Sequence, residues 1–179
     1  MRNKIRKQVY DLIPENSKII DIGCGKGELL KKLSSKINYG LGVDVNKKKI
    51  KSANKKVKKR SLNNLEFRVM DSKELGKENF DIAIVIFTIH EMGYETQIKT
   101  LKNMSKIAKE IILVDYVWPK SIKNKFLIYI DEYLIGDYKK FKSYRKDGML
   151  KLIDESGLKL DRELNGINDL YKIWICEKD

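Results

Sequence analysis

The chain has 179 residues, 42% hydrophobic and 35% charged, which suits one globular domain with a buried core and excludes a disordered chain. Its 38 Lys and Arg against 25 Asp and Glu leave a net charge of +13, which permits a polyanionic partner such as RNA but equally describes a lysine-covered surface. Cys24 and Cys176 lie too far apart in sequence for a disulfide framework or a zinc site, and the longest apolar run, 80–89, is half a bilayer span.

MRNKIRKQVYDLIP at the N-terminus is basic with no apolar segment behind it, so no secretory signal is expected and the chain reads as cytoplasmic. Residues 3–12 form a short helix stopped by Pro14. KIIDIG (18–23) is a buried strand of the kind parallel sheets use, and GELLKKLSSK (27–36) is a helix with Leu29, Leu30 and Leu33 on one face. YGLGVDV (39–45) is a second strand, followed over 46–60 by a lysine-rich helix that turns Ile50, Ala53 and Val57 inward. LEFRVMD (65–71) and FDIAIVIF (80–87) are the third and fourth strands, a helix covers roughly 92–107, and EIILVDY (110–116) is the fifth strand. After Pro119 the rhythm changes to one helical region over 121–156, broken or kinked near Gly136 and Gly148. LKLDRELN (158–165) and LYKIWICEK (170–178), joined by the turn residues GIND, form an antiparallel hairpin. Alternating strands and helices make an α/β fold with a parallel sheet. With no linker, repeat or low-complexity tract, residues 1–179 form a single domain.

The first strand runs into the first helix through IIDIGCGKGELL (19–30), with Gly23, Gly25 and Gly27 at alternate positions. A dinucleotide fold uses G-x-G-x-x-G and rests a pyrophosphate on the helix N-terminus. Here Glu28 stands where the third glycine belongs, and a carboxylate there is a poor neighbour for a pyrophosphate. Asp21 adds an acid suited to a cationic group. Asp44 closes the second strand about 20 residues on, where a carboxylate accepts from both ribose hydroxyls, and Asp71 closes the third. Three successive strands thus present an aspartate at one edge, matching a ligand with a ribose, a donor-bearing base and a positively charged tail. The structural alternative for each aspartate is an N-cap for the helix behind it.

These residues resemble the class I S-adenosylmethionine-dependent methyltransferases over roughly 17–116. IIDIGCGKG is similar to the first motif of that family, D/E-x-G-x-G-x-G, and GVDVN to its ribose-binding strand end. RVMDSKEL resembles the adenine-contacting segment and FDIAIVIFTIHEM the fourth strand with its loop. The resemblance implies a Rossmann-like, doubly wound, seven-stranded and mainly parallel sheet closed by the C-terminal antiparallel hairpin. It implies S-adenosylmethionine as cofactor and no metal. Asp21 would orient the methionine end, with the backbone of Gly23, Cys24, Gly25 and Gly27 near the methionyl and ribose groups. Asp44 would hold the ribose diol, and Val45 and Met70 would sandwich adenine unless they are core residues. Asp71 would accept from the exocyclic amine with Ser72 beside it, and Phe87 would lie close to the sulfonium.

Methyl transfer from a sulfonium is a one-step displacement that alignment alone can accelerate, and a base is needed only for an acceptor protonated at neutral pH. FTIHEM lacks the N-P-P-[YF] or D-P-P-[YF] segment of base-amine methylation, and no Pro-Cys nucleophile is present for pyrimidine carbon-5 chemistry. His90, the only histidine, and Glu91 follow the fourth strand and are the acid–base candidates. Adjacency points their side chains apart, and bracing the loop is an equal alternative. In DYKKFKSYRKDG (137–148), Tyr138, Phe141 and Tyr144 recur every three residues among basic ones. That pattern makes either a base-stacking track or one apolar helix face. With the second reading, the resemblance implies that 121–156, the insertion between the fifth and sixth strands, is a lid over a small-molecule acceptor. The expectation is therefore a small-molecule methyltransferase with no membrane association. An RNA or protein methyltransferase, and a nucleotide-binding module or NAD-dependent oxidoreductase, stay open as alternatives.

Overall fold

The computed structural model describes residues 2–76, 78–118, 121–122, 125–126, 129–130, 138–166 and 170–178. Helix α1 (Arg2–Leu12) leads into β1 (Lys18–Ile22), α2 (Glu28–Leu33), β2 (Tyr39–Asp44), α3 (Lys47–Arg60) and β3 (Leu65–Val69). A one-turn 3₁₀ helix, Ser72–Glu74, precedes β4 (Phe80–Ile86). A second, Ile89–Glu91, precedes α4 (Tyr94–Ile107) and β5 (Ala108–Tyr116). Helix α5 (Tyr138–Glu155) and the hairpin of β6 (Leu158–Asn165) and β7 (Tyr171–Lys178) follow.

The seven strands form one sheet in the order β3-β2-β1-β4-β5-β7-β6. Strands β1 to β5 pair in parallel, and β7 lies antiparallel between β5 and β6. The inner parallel strands are buried on both faces, as their unbroken apolar runs require, so each face needs a helical layer. On one face Leu101 and Met104 of α4 pack with Phe141, Tyr144 and Leu152 of α5. On the other, Ile5 and Val9 of α1 pack with Leu30 of α2 and Ile50 of α3. This is the doubly wound, Rossmann-like architecture expected from the resemblance. No helix among the described residues is long and apolar enough to cross a membrane.

Local differences have local causes. Strand β3 stops at Val69, short of the expected Asp71, because the Asp71 carboxylate accepts from the Lys73 backbone N–H at 2.9 Å and turns the chain. Strand β5 starts at Ala108, two residues early. The kink expected near Gly148 is present, at φ 75° and ψ 162°. Gly136 and residues 167–169 of the expected turn lie outside the described residues.

Candidate functional site

Strand β1 has β2 on one side and β4 on the other, so the strand order reverses there and the carboxyl ends open a crevice. A cavity of about 540 Å³ occupies it. The turn after β1 contributes Asp21, Gly23, Cys24 and Gly25 to its walls. Asp44 and Val45 come from the end of β2, and Met70 and Ser72 from the end of β3. The loop after β4 adds Phe87, Thr88 and Glu91, and α1 closes the cavity with Ile5 and Arg6. Gly27, Asp71 and His90, all candidates from the sequence, form no part of these walls.

Two of the glycines do different work. At Gly23, φ is +71° and a Cβ would sit 2.4 Å from Thr88 Oγ1, so this glycine lets the β4 loop close onto the turn. At Gly25, φ is +57° and a Cβ would find only Lys49 Cδ at 4.0 Å, so its backbone faces open space where a ligand can approach. Gly27 instead backs onto the Phe67 ring, 2.4 Å from where its Cβ would be.

Asp44 is buried at 8% exposure and is not the cap of α3. Asn46 takes that part, accepting from the Lys49 N–H at 3.1 Å. The Asp44 carboxylate accepts from Gly25 N–H at 2.9 Å and Asn46 N–H at 2.8 Å, one bond per oxygen. Each oxygen therefore keeps capacity for a further donor on the cavity. Asp21 is 4% exposed, and no donor among the described residues reaches its carboxylate. Burial pushes its pKa up to about 7, against the pull of the Arg6 guanidinium and with a push from Asp44. A desolvated carboxylate without a donor is stabilised by a cationic ligand.

Val45 is 68% exposed and is not a core residue, while Met70 lines the cavity and also packs against the core. Ser72 is buried with its hydroxyl 2.7 Å from Thr100 Oγ1. Burial pushes the Glu28 carboxyl up, but hydrogen bonds from Lys31 and Lys56 outweigh it and hold the pKa at about 2. Glu28 is therefore an anion committed to two lysines at 2.7 and 2.8 Å.

Phe87 ends β4 at φ 48°, a left-handed conformation that is strained for an aromatic residue. Its ring stacks 4.6 Å from Tyr116 and meets Tyr171 edge-on at 5.8 Å. Beyond it the side chains of His90 and Glu91 diverge, as adjacency predicts. Glu91 faces the cavity, while His90 is 3% exposed with Nδ1 2.5 Å from Asp115 Oδ1. Asp115 also accepts from the backbone N–H groups of His90 at 3.2 Å and Tyr116 at 2.8 Å. Gln97 holds the same loop by donating to the carbonyls of Ile89 at 2.9 Å and Met92 at 3.1 Å.

The donor set fits a nucleoside carrying an amino-acid tail: an acid without a donor for an ammonium, an open glycine cradle, and a buried carboxylate at the ribose position. No cluster of three or more His, Cys, Asp or Glu able to hold a metal occurs among the described residues.

The fold is that of a doubly wound α/β enzyme whose cavity lies at the switch point and suits a nucleoside. The chain belongs to the methyltransferase-domain family, whose model matches residues 13–155, and is a class I methyltransferase with S-adenosylmethionine as its cofactor. Magnesium protoporphyrin IX methyltransferase (ChlM) from Synechocystis PCC 6803, solved with bound SAH, superposes with a TM-score of 0.73 at 17% identity. That alignment covers 99% of this chain and 84% of that one. Mitomycin 7-O-methyltransferase MmcR gives a TM-score of 0.77 at 16% identity over 98% of this chain and 53% of that one. A methyltransferase from Aquifex aeolicus gives 0.70 at 18% identity over 96% and 88%. No curated protein sequence matches the chain.

Three site residues escaped the sequence reading. Arg6 sits on a helix that carries no motif, Thr88 is an ordinary loop residue, and Asp115 is one polar residue in an apolar strand. The only available signal was Asp115, since an acid inside EIILVDY must find a partner once the strand is buried.

Proposed function

We propose that this enzyme methylates a small molecule, bound against α5. The observation that carries the reading is the buried Asp21 carboxylate, which no donor among the described residues reaches and which lines the same cavity as Asp44. When bound, S-adenosylmethionine supplies an electrophilic methyl group on a sulfonium. Asp21 would then neutralise its ammonium, Arg6 would face its carboxylate, and Asp44 would accept from the ribose hydroxyls. Val45 and Met70 would flank adenine, with Ser72 beside it. Asp71, engaged with Lys73, is the weakest member of this set.

A small acceptor is supported by α5, where Phe141 and Tyr144 are each 3% exposed. Phe141 and Tyr144 pack inward against Tyr116 instead of being offered to bases, and the Tyr138 side chain lies outside the described residues. The magnesium protoporphyrin IX and mitomycin enzymes of the same fold also carry small-molecule names.

His90, bonded through Nδ1 to Asp115, is the first candidate for the base that takes a proton from the acceptor. His90→Ala is expected to leave cofactor affinity intact and lower turnover roughly a hundredfold, with loss of the pH-dependent limb near neutrality. A second reading follows from the burial of His90 away from the cavity walls, namely that it braces the loop for Glu91. In that case the variant melts early and the pH limb persists. Cofactor binding is tested by melting temperature: S-adenosylmethionine raises it, NAD does not, and Asp44→Ala removes most of the shift. Stabilisation by NAD alone would end the methyl-transfer reading.

A further inference from the structure

A second cavity, of about 270 Å³, lies between β5, α5 and the hairpin. It shares no wall residue with the first, but the stacked rings of Phe87 and Tyr116 join the two walls. Five aromatic side chains enclose it: Tyr116, Trp118, Phe141, Tyr144 and Trp174. Its charges are unequal. Glu163 accepts from Lys172 and, at 2.8 Å, from Trp174 Nε1, so that acid is already offset. The Arg145 guanidinium carbon lies 4.1 Å from the centroid of the Trp118 ring, and Arg145 has no carboxylate in ion-pair reach among the described residues. Lys125 adds a second cation 5.8 Å from the same ring.

An aromatic cage with one uncompensated guanidinium at its mouth has a specific complement. We propose that this cavity binds the methyl acceptor and that the acceptor is an aromatic carboxylate. The ring of one or two fused cycles lies among the aromatic walls, and the carboxylate takes the fork of Arg145, a geometry a lysine would not reproduce. The His90 ring stands 5.0 Å from Tyr116, 6.2 Å from Phe141 and 6.3 Å from Tyr144, directly behind three of those walls. The assignment of the ligand as acceptor rests on the methyl-transfer reading above; the binding chemistry of the cavity does not.

The chain has two tryptophans, and both line this cavity while neither lines the cofactor cavity, so tryptophan emission, excited apart from the nine tyrosines, reports on the second site. Benzoate is expected to change the emission saturably. Methyl benzoate, without the charge, is expected to bind about tenfold more weakly or worse, the usual worth of a charge-assisted bond, and cyclohexanecarboxylate, whose saturated ring has no π face, should also bind more weakly than benzoate. Arg145→Met is expected to remove the preference for acid over ester without altering the melting temperature or its shift with S-adenosylmethionine. Arg145→Lys should restore little of it. Equal affinity for acid and ester, no response to benzoate, or an unchanged preference in Arg145→Met would each overturn the proposal. Asp44→Ala should respond to benzoate like the wild type. A benzoate response beside a failed cofactor assay would count against methyl transfer and in favour of this binding site.

Discussion

Asp21 shows how burial sets function at a single residue. In the unfolded chain this carboxyl ionises near 3.8, and in the folded protein near 7. Between those values the native state keeps a proton that the unfolded state has lost. Stability without cofactor therefore falls as pH rises from about 4 to about 7, and the loss is complete above 7. The cost is at most on the order of 4 kcal/mol, from three pH units at 1.36 kcal/mol each. A bound ammonium reverses the imbalance, so cofactor affinity should rise over the same interval. Asp21→Asn is expected to melt higher than the wild type at pH 8 in the absence of ligand, with a flattened pH profile and little response to S-adenosylmethionine. Parallel melting profiles for the two proteins would refute the desolvation argument. The turn gives a second contrast. Gly25→Ala meets only backbone strain of roughly 1–2 kcal/mol and should fold while losing cofactor. Gly23→Ala adds a clash with Thr88 and should lose folded protein as well.

Among the elements, α1 links the core to the cavity. Ile5 in it and Ile13 just after it are each 1% exposed, so Ile5→Ala and Ile13→Ala should both cost about 2–5 kcal/mol. Only Ile5 lines the cofactor cavity, so only Ile5→Ala should also weaken S-adenosylmethionine binding measured well below the melting point. Equal affinities in the two variants would make α1 a purely structural cover. The strands, their alternation with helices and the closing hairpin were legible because each is written in a continuous local pattern. KIIDIG and FDIAIVIF are apolar throughout, and charged residues such as Lys159, Asp161 and Arg162 mark β6 as an exposed edge. The partnership of Asp115 with His90 was not legible, because it depends on the parallel register that sets Ile86 beside Val114. Arg6 was hidden for a similar reason: 15 positions before Asp21 in sequence, it meets the sheet edge only after Ile5 and Val9 dock α1. At Asp71 two local patterns competed, strand end against helix cap, and the 3₁₀ turn went with the cap.

For the whole molecule, the net charge of +13 is concentrated where the chemistry is not. Helix α3 carries nine basic residues and no acid, and of these only Lys49 and Lys56 reach a carboxylate among the described residues. The remaining cations, Lys47, Lys48, Lys51, Lys55, Lys58, Lys59 and Arg60, are exposed along a helix roughly 21 Å long. Its outward face carries no aromatic side chain on which a base could stack. Such a face neutralises phosphates without reading bases, so single-stranded RNA should bind weakly and without sequence preference. Affinity should fall steeply with salt, with a slope of about 0.7 per phosphate neutralised. Replacing Lys51, Lys55 and Lys58 with glutamate should flatten that slope and leave the melting shift with S-adenosylmethionine unchanged, since none of the three lines the cofactor cavity. RNA that binds one sequence tightly at moderate salt, or that protects Phe141 and Tyr144 more than α3 in hydrogen exchange, would instead make RNA the acceptor and α5 its reading surface.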